Sequence, residues 1–448
     1  MDTTAQAALK SAILNSLPLL RESPARFQEQ YLVWTKQENG WRGEFQLRPN
    51  IGLALAAAHK KLEKFGSEFA HVFFKAHPEY AGLVGFPGLG AQNLSHDKVF
   101  LLRSILGNLW ERHRTFEVDE AAVDAIVNEF CNFVDQPNVK FRFQAELLNF
   151  RMPESLLPFA GGLRIRRLTE EEVSVFSGGP VSMLGFHRPT TAGIHEFVIE
   201  GCYEQEKFFG QELTSDQTRL DEVKSLLDRA ILSLRTFKEG RVGYDWIRHT
   251  CLTYCPISVA SFGGSDLHVP AGSYEVTEAD IDRLVAHAER IFAITEPSME
   301  TACRRLADAE TRSRAEDQII DAVIGMEALL LAALGREDRR SELKYRFSIN
   351  YSSLFQDPSD RRQAFKVAKD LYDLRSTLAH GSDLGQAPHR IGEERLSLID
   401  AANRAREALR TVINRFLKIP EEPIYKKSDF WEDAYFGLRD IRQVGRLI

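Results

Sequence analysis

Apolar positions recur every three or four residues along most of the chain, the spacing of one helix face turned to an interior. They predict helices over 5–20, 51–75, 97–113, 119–134 and 214–237, then over 277–295, 298–310, 314–334, 342–355, 359–380 and 393–418. In the first set, Pro18 is expected to break the opening helix, and Leu53, Leu62, Phe65 and Phe69 favour one side of the second. Ser95 is placed to cap the third, Val123, Val127, Phe130 and Val134 form a stripe in the fourth, and Thr214 with Gln217 forms a capping box for the fifth. Strand-like alternation between Gly and Pro punctuation appears at Lys140–Phe143, Leu163–Arg166, His195–Glu200 and Val242–Ala260. Tyr31, Val33, Trp41, Phe45 and Leu47 around Glu38-Asn-Gly40 predict a strand pair. Gly85-Phe-Pro-Gly-Leu-Gly90 lacks the glycine spacing of a phosphate loop and is read as a plain loop. The pattern gives an α+β chain, mostly α. It suggests a mainly helical region over 1–138, an α+β region over 139–270 that can form one unit with it, a helical bundle over 271–420 and an aromatic-rich docking tail over 421–448.

Chemistry concentrates in the bundle. The helix over 314–334 is almost wholly apolar after Asp321 apart from Glu327, which makes it the central one. In the helix over 359–380, Phe365, Ala368, Tyr372, Arg375 and Ala379 share one face, so Arg375 stands where an apolar residue is expected. A guanidinium on such a face calls for an anionic partner, and Glu327 is the obvious one. Gly381 is a natural positive-φ helix terminator, which puts His380 in the last turn, where the macrodipole favours a cationic side chain. His380 stands five positions after Arg375, about 140° on a regular helix at roughly 100° per residue. Fraying at the glycine or a symmetry mate is needed to bring them together. The stretch Gly381–Gly392 reads as a flexible loop with His389 in solvent. The last helix is expected to turn Leu396, Ile399, Leu409, Ile413 and Phe416 inward and Arg404, Arg406 and Arg410 mostly outward.

Three runs together resemble the ApeA-like branch of the HEPN superfamily: Asp317–Leu331, Glu342–Phe347 and Tyr372-Asp-Leu-Arg-Ser-Thr-Leu-Ala-His-Gly381. Their order and spacing match over about residues 277–418. Arg375 and His380, with four residues between them, match the RX4-6H signature of HEPN ribonucleases, and Ser376 matches a serine this branch often carries after the arginine. Elsewhere in the superfamily Asn, Asp or His more often stands there. The resemblance implies a HEPN-type bundle and a metal-independent endoribonuclease that cuts RNA through 2′-hydroxyl attack. His380 would move the proton and Arg375 would hold the phosphate, with Glu327, Ser376 and Tyr372 in support. It further implies a homodimer, no cofactor, a role in a prokaryotic antiphage, abortive-infection or toxin system, and a phage-derived trigger or antitoxin-like partner. The alternative is a non-catalytic HEPN module that binds a nucleotide, RNA or partner.

Charge bears on that choice. The 448-residue chain has a formal net charge of -7; residues 301–448 hold 26 Lys+Arg against 24 Asp+Glu, and residues 1–300 hold 31 against 40. A broad basic nucleic-acid surface is absent from this balance, so any RNA contact must be local. Five cysteines with no basic secretory leader point to a reducing interior, and no apolar run approaches a membrane span, so a cytoplasmic protein is expected. His249, Cys251 and Cys255 are zinc ligands by type. An extended strand, however, sets the two sulfurs about 13 Å apart at roughly 3.3 Å per residue, too far for one ion or a disulfide, and buried structural thiols are expected instead.

Overall fold

Short polar side chains start several of the helices. Asp2 accepts from the Thr4 and Ala5 amides, Asp119 from Ala122, Asp357 from Ser359 and Ser397 from Asp400, each satisfying an otherwise unpaired helical N–H. The computed structural model describes residues 1–38, 40–177, 179–180, 195–210, 218–257, 272–334, 342–381, 388–418 and 424–436. It is mostly helical with a mixed α/β N-terminal region. The sequence suggested boundaries at 138 and 270. The structure instead divides into two interleaved units: Met1–Leu147, Leu163–Ser225 and Asp245–Ser265 form the first, and Leu148–Gly162, Leu226–Tyr244 and Asp266–Ile448 the second.

In the first unit, α1 (Thr3–Leu20), α2 (His59–Ala76), α3 (Phe100–His113) and α4 (Glu120–Asp135) share one apolar core that includes Ile13, Phe69, Phe73, Ile105 and Phe130. Pro18 lies inside α1 without breaking it, because in the last turn it removes only one helical bond. The stretch over 51–75 divides at Ala58 into Ile51–Ala57 and α2. Ser95 does not cap α3; it bonds Asn93, and Asp97 takes the Val99 amide at 2.9 Å. Strands β1 (Gln28–Gln37) and β2 (Gly40–Pro49) pair antiparallel with Gln37 opposite Gly40, as the Asn-Gly signal predicts; Asn39 itself lies outside the described residues. Gly85–Gly90 is a tight hairpin rather than a plain loop. A Cβ at Gly85 would come within 2.3 Å of the Gly90 carbonyl oxygen, so only glycine fits there. Strands β3 (Asn138–Leu148), β4 (Arg164–Arg167), β5 (Phe197–Glu206) and β6 (Gly243–Cys251) run in the order β6–β3–β5–β4, with β5 antiparallel to β3 and β4. Helix α5 (Thr218–Phe237) lies between β5 and β6 in the chain, and from Leu226 onward it belongs to the second unit; Thr214 and Gln217 lie outside the described residues.

The second unit is the helical bundle. A capping box of Thr277 and Asp280 leads into α6 (Ile281–Phe292), followed by α7 (Pro297–Thr311), α8 (Ala315–Leu330), α9 (Leu343–Ser353), α10 (Pro358–Ala379), α11 (Leu398–Phe416) and α12 (Ser428–Phe436). Helix α8 is central, packing on α7, α10 and α11 and burying Ile319, Ala322, Val323, Met326 and Leu329. Residues 393–396 are not helical. A hairpin of β7 (His389–Ile391) and β8 (Glu394–Leu396) precedes α11, and Ile399, expected inside, is exposed. His389 is thereby paired within a strand. The tail docks on the bundle: Tyr425, Phe430 and Trp431 pack around Phe416, and the Trp431 indole donates to the Tyr425 carbonyl at 2.9 Å.

Two of the three arginines expected to face outward are buried. Arg406 and Arg410 follow Ala402 at helical spacing on its inner side, and α7 supplies Glu310 as their carboxylate. Arg406 also donates to Gln318 at 2.6 Å and Asn403 at 2.7 Å, while the neighbouring Arg235 donates to the Val242 carbonyl at 2.9 Å. Only Arg404 stays toward solvent, paired with Glu407. Glu310→Ala leaves the buried Arg410 guanidinium without its carboxylate and Arg406 with only the more exposed Glu239, and is expected to lower unfolding free energy by about 3–5 kcal/mol. Asp373→Ala, which removes the exposed pair with Lys344, should change it by about 1 kcal/mol or less. Urea midpoints followed by far-ultraviolet circular dichroism compare the two.

Burial also draws the His249 and His287 imidazoles down to about 4. Both are neutral in the folded chain and gain protons on unfolding below the ordinary histidine range of about 6.5, so stability is full above that range and falls as pH drops toward about 4. Urea midpoints across this window should show the loss, with a shallower slope in His287→Gln.

Candidate active site

Helix α10 is fixed at both ends. Asp357 and Pro358 set its start, and Gly381, at φ 70°, ends it, its amide donating to the Leu378 carbonyl at 3.0 Å while His380 N–H reaches Ser376 O at 3.2 Å. The buried stripe of this helix is Ala364, Val367, Ala368, Leu371 and Leu374. It is rotated from the face the sequence suggested. Ala379 is exposed, Phe365 and Tyr372 are half-buried, and Arg375 stands at the flank of the stripe rather than on it. A flank position lets the aliphatic stem pack while the guanidinium reaches sideways.

It reaches Glu327. Arg375 Nη2 donates to Glu327 Oε2 at 3.2 Å, joining α10 to the central helix. The two side chains are 27% and 20% exposed, so water screens the pair and its net contribution to stability is about 1 kcal/mol or less. Its effect is therefore positional. Burial pushes the Glu327 carboxyl up, and Arg375 opposes that rise. Arg375 Nε is buried with no hydrogen-bond partner among the described residues, leaving donor capacity beyond the one bond to Glu327.

The supporting residues divide. Tyr372 packs its ring on Phe347 at 5.3 Å, and burial raises its phenol. Ser376, one residue past Arg375, is half-buried, and no hydrogen bond engages its hydroxyl among the described residues. His380 is exposed at the helix end, and no hydrogen bond joins it to Arg375 among the described residues. The structure thus brings Arg375 to Glu327 but leaves His380 apart within one chain. Residues 382–387 of the expected loop lie outside the described residues. Its far end is fastened to α10: Gly392 N–H donates to Asp370 at 2.8 Å, and Lys366 pairs with Glu393 at 2.8 Å.

The metal candidates resolve differently. His249 Nδ1 lies 2.9 Å from the Tyr203 hydroxyl. The strand ends at Cys251 and the chain bends at Leu252 and Thr253, so the segment is not extended throughout. No group of three or more His, Cys, Asp or Glu side chains could hold a metal ion among the described residues. No helix among them is long and apolar enough to cross a membrane. No protein-family model, curated protein or solved structure matches the chain.

Sequence reasoning missed Asp321, a buried carboxylate on α8 held by Arg305 at 2.6 Å and Arg312 at 3.1 Å. Its place on the apolar helix two turns before Glu327 was the available signal.

The Arg375–Glu327 tie has a direct readout. In Arg375→Ala the Glu327 carboxyl loses the cation that offsets its burial, so its titration should move upward from the wild-type position in carboxyl-detected NMR. An unmoved titration would show that the pair does not form in solution.

Proposed function

We propose that the chain is a metal-independent endoribonuclease of the HEPN type. The observation that carries this reading is the guanidinium of Arg375, held by Glu327 on the central helix with donor capacity to spare, on the same helix whose exposed glycine-capped end presents His380. RNA carries its own nucleophile, so the protein needs only a proton carrier and a cation for the developing charge. The 2′-oxygen bonds to phosphorus and the 5′-oxygen departs, leaving a 2′,3′-cyclic phosphate on one fragment and a 5′-hydroxyl on the other. His380 takes the proton from the 2′-hydroxyl or delivers one to the 5′-oxygen. Arg375 binds the phosphate and stabilises its transition-state charge, Glu327 orients Arg375, and Ser376 and Tyr372 are auxiliary donors. The separation of Arg375 from His380 within one chain favours a homodimer in which two such sets meet across a two-fold axis. The resemblance places this activity in an antiphage or abortive-infection response, with the first unit receiving the signal.

Purified wild type incubated with total RNA and tRNA in EDTA should yield cyclic-phosphate ends. His380→Ala and Arg375→Ala should each lose about 100-fold or more in rate, the scale of a lost acid–base or charge-stabilising group. Cutting that EDTA abolishes, or that survives in His380→Ala, would overturn the assignment. The acidic balance of residues 1–300 favours a second reading, in which Arg375 anchors an anion without chemistry. Tight RNA binding with no scission by wild type would select it.

A further inference from the structure

Strand β2 is open along one side. Among the described residues it pairs only with β1, in an unbroken antiparallel register from Gln28 opposite Pro49 to Gln37 opposite Gly40. Every residue of β2 except Trp41 is exposed, Phe45 at 62% and Leu47 at 65%. The Trp34 amide donates to Ser174 Oγ at 2.8 Å, and that hydroxyl donates to the Trp34 carbonyl at 3.2 Å, so both backbone groups of Trp34 point away from β2. Trp34 and Gly43 are therefore a non-hydrogen-bonded pair. Alternation along the ladder then turns the N–H and C=O groups of Trp41, Gly43, Phe45 and Leu47 toward the open side, and their side chains share one face. A long edge of this kind is ordinarily blunted by a bulge, a lysine or an internal proline. In β2 only Pro49, at its end, does so.

From this geometry we infer that β2 is a homotypic pairing edge, which adds antiparallel to β2 of a second copy of this chain with Gln46 opposite Gln46 across a two-fold axis. In that alignment Phe45 of each copy meets Leu47 of the other, and Glu44 of each meets Arg48 of the other. Both exposed apolar side chains gain apolar neighbours, and opposite charges stand opposite. The Phe45 and Leu47 backbones exchange about four hydrogen bonds across the axis, and Pro49, lacking an N–H, ends the ladder opposite Gly43. The edge belongs to the first unit, so the inference stands without the ribonuclease reading.

Neighbouring registers fit worse. An axis at Phe45 sets Arg42 against Arg48, and one at Glu44 sets the two Glu44 carboxylates face to face. An axis at Gly43 opposes Arg42 to Glu44 but carries Leu47 past the end of the second strand, leaving it in water. The charges of β2 are free to be shared. Glu44 meets Arg42 of its own strand at 3.2 Å in an exposed pair, and the Arg48 guanidinium lies 6.0 Å from the centre of the Tyr31 ring. In the joined sheet Glu44 stands between its own Arg42 and Arg48 of the second copy, all on the face opposite Phe45 and Leu47.

The test uses the full chain carrying Gln46→Cys, oxidised mildly with copper phenanthroline and mapped by mass spectrometry. Directly opposed β-carbons about 4.5–5.5 Å apart are close enough for a disulfide after a small shift, so a link between the two copies at position 46 should form. Arg48→Cys, which faces Glu44 of the second copy, should link to itself about tenfold less. Adding Glu44→Arg or Arg48→Glu to the Gln46→Cys chain sets like charges opposite and should cut the link about tenfold or more. Mixing those two chains sets Arg against Glu on both sides and should restore it, which a misfolded variant would not do. The position of the link and its rescue by mixing tell this contact from a dimer formed through the bundle. Links only through the native cysteines, equal links at 46 and 48, or no rescue on mixing would each overturn the proposal.

Discussion

A carboxylate inside a helical bundle stays charged only beside a cation, and this requirement shapes the second unit. Glu310 is met by Arg406 and Arg410, Asp321 by Arg305 and Arg312, and Glu327 by Arg375. Each pair joins two helices. Apolar packing alone would let α7, α8, α10 and α11 slide along one another with little penalty, whereas a hydrogen-bonded ion pair fixes one register. Isolation of one partner is what destabilises, so the pairs act as locks more than as sources of stability.

The three carboxylates differ in their relation to water. Glu310 and Asp321 are almost fully enclosed, each between two arginines. Glu327 is more open and meets one arginine, whose Nε has no hydrogen-bond partner among the described residues. Such a cation is oriented without being saturated. An incoming anion can share it, because the existing partner need not be displaced.

The sequence made some features legible and hid others for physical reasons. The end of α10 was legible because Gly381 alone among its neighbours accepts positive φ readily. The Glu327–Arg375 pair was legible because each is the odd polar residue in a core-spaced helix. The exact face was not: a 3.6-residue period fits two stripes one position apart, and Leu371 and Leu374 outcompete Tyr372 and Arg375 for the interior. Arg406 and Arg410 were misread because an arginine row looks solvated until its partner on another helix is known. The bend at Leu252 and Thr253 is followed by no Gly, Asn or Pro until Pro256, so alternation masked it. The division at Ala58 was hidden in a run of alanines, each a good helix former.

The interleaving of the two units has a consequence for biosynthesis. The first unit needs Asp245–Ser265 and the second needs Leu148–Gly162, so neither can complete its fold while only the opening half of the chain has left the ribosome. Most multidomain chains finish an N-terminal domain before the next emerges. Here Leu148–Gly162 must wait for more than a hundred residues of later chain before the helices of its own unit exist. Helix α10 is translated near the end of such a chain, so the Arg375–Glu327 pair cannot form before most of the polypeptide is made, and a product truncated before α10 would lack it.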